Sequence, residues 1–349
     1  MEFYAAILAG GSGERFWPLS TPERPKQFLD VFGSRSLIRQ AVERISGLVP
    51  PERILVITAA DLVGATKAEL PELPEGNIVG EPMRRDTAAA VAVACGMVAK
   101  RGGDGAVAAV LTADQLMKDV DGFRRVLSDA VKAASMTGAI ATMGVEPEYP
   151  ATGFGYIQSG ERLDLGLQTT FSKVKRFVEK PNLETAKSYI ADGGYVWNAG
   201  MFVWRVDTMK RALKAEAPLL ELERAVEAEE DIDALLARVY PGLRRISIDY
   251  AVMERFGDII VSSGAFGWDD VGTWAAAEKH LEVDERRNVL KGNVTELDCR
   301  GVVAIESGGP RIAVMGMEDA VIVSTPHGIL VASKSRVEDM KKLLQKMNG

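Results

Sequence analysis

Five short apolar runs, alternating with helical patterns, fill the first 145 residues of the chain and are predicted as buried strands. The predicted strands cover residues 3–9, 53–58, 77–80, 106–111 and 139–145, and the predicted helices cover 36–47, 61–70, 88–100 and 119–137. Strands that alternate regularly with helices form a parallel sheet with helices on both faces. The sequence therefore predicts a Rossmann-like, mostly parallel α/β fold, and in such sheets ligands bind at the carboxyl ends of the strands.

The segment directly after the first strand is rich in glycine and carries two cations. Gly10, Gly11 and Gly13 follow the strand, and Arg15 and Lys26 lie in the same loop. Glycines at the end of a buried strand let backbone N–H groups approach an anion closely, because no Cβ is in the way. A strand, a glycine turn and two cations together predict a phosphate site.

Two familiar phosphate-binding loops do not match this segment. A Walker A loop needs Gly-x-x-x-x-Gly-Lys-Ser/Thr, which is absent here. A dinucleotide-binding loop needs Gly-x-Gly-x-x-Gly and a helix that starts at once. Here Phe16 stands at the third glycine position, and Pro18 and Pro22 delay any helix. A nicotinamide-dependent oxidoreductase is therefore a distant alternative.

Composition limits the classes of partner and chemistry. The chain of 349 residues has 47% hydrophobic and 26% charged residues, as an ordinary globular protein does, and its net charge of −7 gives no support for a nucleic-acid partner. Cys95 and Cys299 are too few for a disulfide framework, and His280 and His327 alone argue against a His-centred triad or a multi-His metal site. The first apolar run is too short for a signal peptide or a membrane span, so we expect a cytoplasmic protein without a membrane partner.

The pattern changes twice after residue 150. Strands with alternating polarity and charged helices continue to about residue 281, and from about residue 286 short apolar runs recur between turns at spacings of about ten residues. These runs cover residues 302–305, 312–314, 320–323 and 328–332. They predict a β-solenoid fragment or a small sheet, and an amphipathic terminal helix follows. The predicted domains are residues 1–285 and 286–349.

The glycine loop closely resembles the signature of the sugar nucleotidyltransferases, Gly-Gly-x-Gly-x-Arg followed by Pro-Lys. Residues 17–20, Trp-Pro-Leu-Ser, and 26–29, Lys-Gln-Phe-Leu, are similar to the mannose-1-phosphate guanylyltransferase version, and further family motifs follow in order up to Trp274. The resemblance implies transfer of GMP from GTP to α-D-mannose 1-phosphate, which gives GDP-mannose and pyrophosphate, with Mg²⁺ or Mn²⁺ as cofactor. It also implies a left-handed β-helix-like C-terminal region that helps form a homodimer. Another sugar-1-phosphate nucleotidyltransferase, or a non-catalytic subunit that only binds a sugar nucleotide, remains an alternative.

The resemblance also implies roles for individual residues. Arg15 grips the triphosphate and the leaving pyrophosphate, and Lys26 neutralises phosphate charge. Asp114 and Asp270 bind the metal, with Asp269 as the alternative to Asp270 in the family pattern Trp-x-Asp-x-Gly. The residue after the first aspartate is commonly His in the family, whereas here it is Gln115, whose role is open.

The substrate-binding residues fall into two groups. The nucleotide is assigned to Leu8, Gly10, Gly11, Gly13, Glu81, Arg85, Asp86 and Thr87, and the sugar phosphate to Gly153, Tyr156, Glu179, Lys180 and Asn198. Asp86 is also a candidate N-cap for the following helix, and a carboxylate can cap and bind at once.

Elementary chemistry supports this set of residue types. A sugar phosphate is already ionised at neutral pH, so its attack on a nucleoside triphosphate needs positioning and charge neutralisation more than a strong base. Cations and a metal held by carboxylates can supply both. Guanine presents two N–H donors side by side, and a carboxylate at Glu81 suits them; thymine and uracil present one donor between two carbonyls.

Overall fold

The computed structural model describes residues 2–11 and 13–348. Its first strands and helices are β1 (Phe3–Ala9), α1 (Leu37–Ile45), β2 (Ile54–Ala59), α2 (Val63–Glu69), β3 (Ile78–Glu81), α3 (Thr87–Gly102), β4 (Val107–Thr112), β5 (Leu116–Met117), α4 (Val120–Thr137) and β6 (Ile140–Val145). There follow β7 (Tyr156–Leu163), β8 (Thr170–Val178), α5 (Leu183–Asp192), β9 (Tyr195–Arg205), α6 (Val206–Leu213), α7 (Ala217–Ala228), α8 (Ile232–Val239), β10 (Ile259–Ser263), β11 (Trp268–Asp269) and α9 (Ala277–His280). The last elements are β12 (Val289–Lys291), β13 (Val294–Leu297), β14 (Val303–Glu306), β15 (Ile312–Met315), β16 (Ala320–Thr325), β17 (Gly328–Ser333) and α10 (Met340–Asn348).

The chain divides into two compact units. The first holds Met1–Gly10 and Ala41–Asp269, and the second holds Gly11–Gln40 and Asp270–Gly349. The glycine loop from Gly11 onward thus belongs to the same unit as the C-terminal strands. These units differ from the predicted domains, residues 1–285 and 286–349, and that division stays a prediction.

The first unit is built on a large mixed sheet with the order β3-β2-β1-β4-β9-β6-β10-β8-β7. β3, β2, β1 and β4 pair in parallel, as the strand–helix alternation predicts. β9 then lies antiparallel between β4 and β6, and β7 and β8 are antiparallel to their neighbours. β6 and β10 also pair in parallel, so every strand of this sheet except β8 and β9 runs in the same direction. The expectation of a mostly parallel sheet is therefore correct, and the two antiparallel strands β8 and β9 were not predicted. The direction of β9 was not predictable, because a strand buried on both faces has the same apolar pattern in either direction.

The core of this unit lies between the sheet and its helices, and α3 is its most buried helix. Residues 88–99 of α3 are all buried, which explains their richness in alanine and valine. A Cβ at Gly96 would collide with the backbone oxygen of Glu223 on α7, so glycine allows these two helices to touch. This packing holds α3, whose N-terminus follows directly after the predicted nucleotide-binding segment.

The second unit contains the predicted β-rich region. β12, β14 and β16 pair in parallel, β13 pairs in parallel with β15, and β17 closes the larger sheet in antiparallel fashion. Val302, Ala304, Val314 and Ile322 share a buried core between the strands. Parallel pairing of successive short strands agrees with a solenoid-like region, whereas the left-handed winding stays a prediction.

Among the helices in residues 2–11 and 13–348, we find none that is both long and apolar enough to cross a membrane.

Candidate active site

The parallel half of the large sheet brings four predicted site residues to one edge. Leu8 on β1 lies opposite Thr112 on β4, and Ala59 on β2 lies opposite Glu81 on β3. Gly10 and Asp114 follow β1 and β4 closely, so they leave the sheet at the same carboxyl edge as Glu81. This edge is where ligands bind in sheets of this type.

Glu81 is the most enclosed of these groups. Its side chain is buried, its Oε1 accepts a hydrogen bond of 3.0 Å from the hydroxyl of Tyr240, and its Oε2 lies 3.2 Å from the position that a Cβ would take on Gly10. Burial raises the pKa of Glu81 to about 7, the Tyr240 hydrogen bond opposes that rise, and the charge of Asp86 adds to it. Glu81 is therefore a fixed hydrogen-bonding group and not a mobile surface charge.

The segment that follows Glu81 is tied to the start of α3. Asp86 has a positive φ of 64°, and its Oδ1 accepts a 2.9 Å hydrogen bond from the Thr87 N–H, so the predicted capping role is confirmed. The Thr87 hydroxyl oxygen accepts from the N–H of Ile248 at 2.9 Å. Arg85 directs its guanidinium to the backbone carbonyls of Tyr240 and Pro241, at 2.9 and 2.7 Å. These contacts give the segment a defined shape beside Glu81.

A second group of predicted residues meets around Gly155. Asn198 donates from its backbone N–H to the oxygen of Gly155 at 2.8 Å, and a Cβ on Gly155 would lie 2.5 Å from Oε2 of Glu179 and 3.3 Å from the Cβ of Asn198. Lys180 donates to Oε1 of Glu179 at 2.7 Å. Burial lowers the pKa of Lys180, but the hydrogen bond and charge of Glu179 outweigh it and the pKa is raised. The structure thus brings together Glu179, Lys180 and Asn198, the residues assigned to the sugar phosphate.

The two other residues assigned to the sugar phosphate differ in exposure. Tyr156 is fully buried between β8 and β9, opposite Val178 and Trp197. Gly153 is exposed, with open space around its Cβ position.

Sequence reasoning missed Asp249, which contacts this group. Its Oδ1 accepts a 3.0 Å hydrogen bond from Nδ2 of Asn198, and it begins a π-helical turn, Asp249–Met253. Burial, then the charge of Glu179, raises the pKa of Asp249 to about 7. In the sequence, the one feature that could have indicated Asp249 is its position as a single acidic residue before an apolar run. In the structure, its π-helical turn is of a kind that is frequent at functional sites.

Gln115 has a structural role that the sequence left open. Its Nε2 donates to the oxygen of Ala199 at 3.1 Å, and its Oε1 accepts from the indole N–H of Trp268 at 2.8 Å. Its own backbone oxygen accepts from Arg44 at 2.9 Å. Gln115 thereby links the loop that carries Asp114 to β9 and β11.

The second unit brings three of the four predicted catalytic residues together. Lys26 is buried and donates from Nζ to the backbone oxygen of Asp270 at 2.6 Å. A Cβ on Gly272 would lie 2.9 Å from Oδ2 of Asp270 and 3.5 Å from Nη1 of Arg15, so these two side chains flank the same point. The loop between Arg15 and Lys26 and the segment after β11 therefore form a cluster of two cations and one carboxylate.

Gly13 makes the approach of Lys26 possible. It has a φ of 58°, and a Cβ there would collide with the backbone and Cβ of Lys26. The Ser20 hydroxyl donates to the Gly13 oxygen at 2.8 Å. Glycine is required at this position for both its conformation and its lack of a side chain. Gly11, by contrast, is exposed, with nothing near its Cβ position.

The described residues offer carboxylates of the type that a nucleotide-bound metal uses. Of the residues that the structure describes, no three or more His, Cys, Asp and Glu side chains are grouped to hold a metal ion. Mg²⁺ at nucleotide sites is commonly held by one or two carboxylates together with phosphate oxygens. Asp114, on the first unit, and Asp270, on the second, each carry a carboxylate of the right kind.

A largely parallel sheet whose first strand leads into a glycine-rich segment with two cations is typical of the nucleotidyltransferases. A family model described as nucleotidyl transferase matches residues 4–286, and the chain belongs to this family. It is 36% identical over 351 residues to mannose-1-phosphate guanylyltransferase of Salmonella montevideo (98% of this chain, 73% of the relative), and 36% identical over 360 residues to the enzyme of that name from Escherichia coli K12 (100% and 74%). A crystal structure from Thermus thermophilus, described as a mannose-1-phosphate geranyltransferase, matches all of both chains with a TM-score of 0.90 at 34% identity. The family resemblance predicted from the loop is confirmed.

Proposed function

We propose that the protein is a GTP-dependent mannose-1-phosphate guanylyltransferase that makes GDP-mannose. The observation that carries the proposal is the similarity over nearly the full chain to enzymes of that name. The residues within each unit support it, because Glu81, Lys26 and Asn198 are each held by hydrogen bonds to other parts of the chain.

The proposed reaction is a single in-line displacement. A phosphate oxygen of mannose 1-phosphate forms a bond to the α-phosphorus of GTP, the bond from that phosphorus to the bridging oxygen breaks, and pyrophosphate leaves with the electron pair. The attacking phosphate is already an anion, so no side chain has to remove a proton. The protein's work is to align the two substrates and to offset their repulsion.

Arg15 and Lys26 act on the triphosphate. Lys26 is held against the Asp270 carbonyl, so its position is fixed before substrate binds. Arg15 presents a guanidinium that matches the geometry of phosphate oxygens, and it is exposed, as a group that meets a ligand should be. Together they stabilise the charge that builds up on the leaving pyrophosphate.

Asp114 and Asp270 are the proposed ligands of Mg²⁺ or Mn²⁺. When bound, such a metal would neutralise phosphate charge and orient the reacting groups. Asp270 is favoured over Asp269 because its Oδ2 faces the same point as Arg15, whereas Asp269 is opposite Leu116 in the β5–β11 pair.

Glu81 is the proposed reader of guanine. It lies beside Gly10 at the end of β3, where Leu8, Gly10, Asp86 and Thr87 form the nucleotide side of the first unit. An ionised carboxylate offers about four acceptor positions, so it can accept from the hydroxyl of Tyr240 and from the N1–H and N2–H of guanine.

The sugar phosphate is proposed to bind at the group around Gly155. Glu179 and Asn198 supply hydrogen-bonding groups for sugar hydroxyls, and Lys180 supplies positive charge for the phosphate. Gly153 and Tyr156 complete the proposed pocket, Gly153 as an exposed backbone position and Tyr156 as support from beneath.

Two further properties are part of the proposal. The C-terminal strands are proposed to wind as a left-handed β-helix and to mediate a homodimer. The phosphorylated substrates and the two buried free cysteines agree with a reducing cytoplasm.

Pyrophosphate release from a matrix of four nucleoside triphosphates against mannose 1-phosphate and glucose 1-phosphate tests the proposal. We expect the highest kcat/KM for GTP with mannose 1-phosphate, and dependence on added Mg²⁺. Activity with dTTP or UTP but not GTP would contradict the base assignment. Sugar-nucleotide binding without any pyrophosphate release would indicate a non-catalytic subunit.

A further inference from the structure

Tyr240 is a buried residue whose hydroxyl donates a hydrogen bond to Glu81. It lies directly after α8, is completely shielded from solvent, and donates its hydroxyl hydrogen to Oε1 of Glu81 at 3.0 Å. The two residues are 159 positions apart in the sequence. A buried phenol hydroxyl that finds a carboxylate partner over such a separation defines a specific tertiary contact.

Arg85 fixes the backbone that carries Tyr240. Its Nε donates to the oxygen of Tyr240 at 2.9 Å and its Nη2 donates to the oxygen of Pro241 at 2.7 Å. Two hydrogen bonds from a rigid, planar guanidinium to successive carbonyls set both position and orientation. Arg85 also accepts at its own backbone oxygen from the N–H of Ile246, at 3.3 Å. The loop from Tyr240 to Ile246 is therefore anchored to the residues that follow Glu81.

Gly10 leaves room for the Glu81 carboxylate because it has no side chain. Oε2 of Glu81 lies 3.2 Å from the position of a Cβ on Gly10, which is closer than a methyl group comfortably allows. One carboxylate oxygen is thus held by a donor, and the other lies against a backbone with no side chain. The hydrogen bond from Tyr240 therefore sets the orientation of Glu81, and a side chain at position 10 would crowd it.

We propose that Tyr240, anchored by Arg85, is a positioning residue that sets how the Glu81 carboxylate recognises the nucleotide base. This inference rests on the proposed function, in which Glu81 reads guanine. Tyr240 is too buried to meet the nucleotide itself, so it acts through Glu81. Arg85 then serves the base site by holding the protein backbone and not by meeting phosphate.

The electrostatics agree with this role. Burial disfavours the charged form of Glu81 and raises its pKa, while the hydrogen bond from Tyr240 favours the charged form. The ionised carboxylate is the form that accepts both guanine donors. Loss of the Tyr240 hydroxyl would therefore weaken base recognition in two ways. It would free the Glu81 side chain to move, and it would disfavour the ionised form of Glu81.

A double-mutant cycle with Tyr240→Phe and Glu81→Gln tests the inference. Tyr240→Phe should raise KM for GTP about tenfold, the scale of one hydrogen bond to a charged group, and leave kcat at saturating GTP almost unchanged. The preference of this variant for GTP over ATP, measured as the ratio of the two kcat/KM values, should also fall. The double variant should be no worse than Glu81→Gln alone, because Tyr240 has no base-reading role once Glu81 is neutral. Arg85→Lys, which cannot bridge two carbonyls in the same plane, should resemble Tyr240→Phe.

Tyr4→Phe is the matched control. Tyr4 is also buried and its hydroxyl also donates to a glutamate, Glu2, at 3.3 Å. We expect its removal to leave KM for GTP and base preference unchanged. Unchanged KM in Tyr240→Phe, additive effects in the double variant, or an equal loss of kcat with every triphosphate would overturn the inference.

The same experiment separates this inference from the proposed function. If the wild-type enzyme prefers another triphosphate, the proposed GTP preference is wrong, and the cycle is run with the preferred one. Coupling between the two substitutions would then still support the action of Tyr240 through Glu81, and additivity would refute it.

Discussion

The side-chain amide of Asn198 donates from Nδ2 to Oδ1 of Asp249 at 3.0 Å, and its Oδ1 accepts from the hydroxyl of Thr142 and the N–H of Gly200, at 3.2 and 3.1 Å. An amide with a fixed acceptor on one end and two donors on the other has only one orientation. Asp249 and the N–H of Gly200 therefore fix the orientation of the Asn198 amide in the proposed sugar site.

Asp249→Asn should weaken binding of the sugar phosphate. The substituted amide no longer offers an unambiguous acceptor to Nδ2 of Asn198, so we expect KM for mannose 1-phosphate to rise about tenfold. KM for GTP should stay unchanged. Steady-state kinetics with each substrate varied in turn measure both values. Asp258→Asn, an exposed change in the same unit, serves as control, and an equal rise in both KM values would refute the assignment.

Asp114→Ala and Asp270→Ala should each lower kcat by about 10²-fold or more, the scale of losing a key electrostatic stabiliser. Asp269→Ala should have a much smaller effect, because Asp269 lies in the β5–β11 pair. Turnover measured as a function of Mg²⁺ concentration compares the three variants, with the exposed Asp121→Ala as a control. Near-normal Mg²⁺-dependent activity in both Asp114→Ala and Asp270→Ala would rule out the metal assignment. A larger loss of kcat in Asp269→Ala than in Asp270→Ala would assign the metal-binding role to Asp269.

Gly272→Ala should impair catalysis without unfolding the protein. A methyl group there would lie 2.9 Å from Oδ2 of Asp270 and 3.5 Å from Nη1 of Arg15, so the carboxylate must move. We expect kcat to fall by about 10- to 100-fold, as for the misplacement of a positioned group. The control is Gly257→Ala, since Gly257 has open space around its Cβ position. Full activity in Gly272→Ala would show that the carboxylate position is not critical.

Glu223→Gln should change how stability depends on pH. Glu223 is fully buried, and burial raises its pKa to about 7 against the opposing charge of Lys210, 3.6 Å away. The folded state therefore binds this proton more tightly than the unfolded state. Stability is lost as pH rises from about 4.5 to about 7, with a slope of at most about 1.4 kcal/mol per pH unit.

Glutamine resembles the protonated side chain, so the variant should lose this slope. We expect its melting temperature to exceed that of wild type at about pH 8 and to approach it at about pH 5. Lys210 keeps ion pairs with Asp104 and Glu227 at 2.8 and 2.7 Å. Thermal melts across this pH range, with the exposed change Glu221→Gln on the same helix as control, provide the measurement. A variant less stable than wild type at the alkaline end would contradict the argument.

The sequence predicted the parallel half of the large sheet because its strands alternate with helices. Each of these strands and helices has its own local sequence pattern. The sequence did not predict the direction of β9, because strand direction is set by the long connections between elements. α7 and α8 lie in the stretch after residue 150 where the sequence predicts charged helices. The assignment of the glycine loop to the same unit as the last strands depends on tertiary packing alone.

The candidate site was predictable where its residues form short motifs. Arg15, Lys26 and Asp270 carry family patterns, and the structure brings them together. Tyr240 and Asp249 lie in segments without such a pattern, and each acts through a contact with a distant residue, Glu81 or Asn198. Supporting residues of this kind have no local signature, since their role exists only once the chain is folded.

The C-terminal strands hold the segments on both sides of Lys26. Thr325 donates to the Pro18 oxygen at 3.2 Å, Lys291 donates to the Val31 oxygen at 3.0 Å, and Gly328 has no room for a Cβ, which would lie 2.8 Å from the Trp17 ring. A chain truncated after residue 285 would keep every strand of the large sheet and every proposed ligand, yet it would lose the support of the proposed phosphate loop. This loop and the strands after residue 285 are therefore one structural module, and a transplant of the large sheet into another protein would have to carry both.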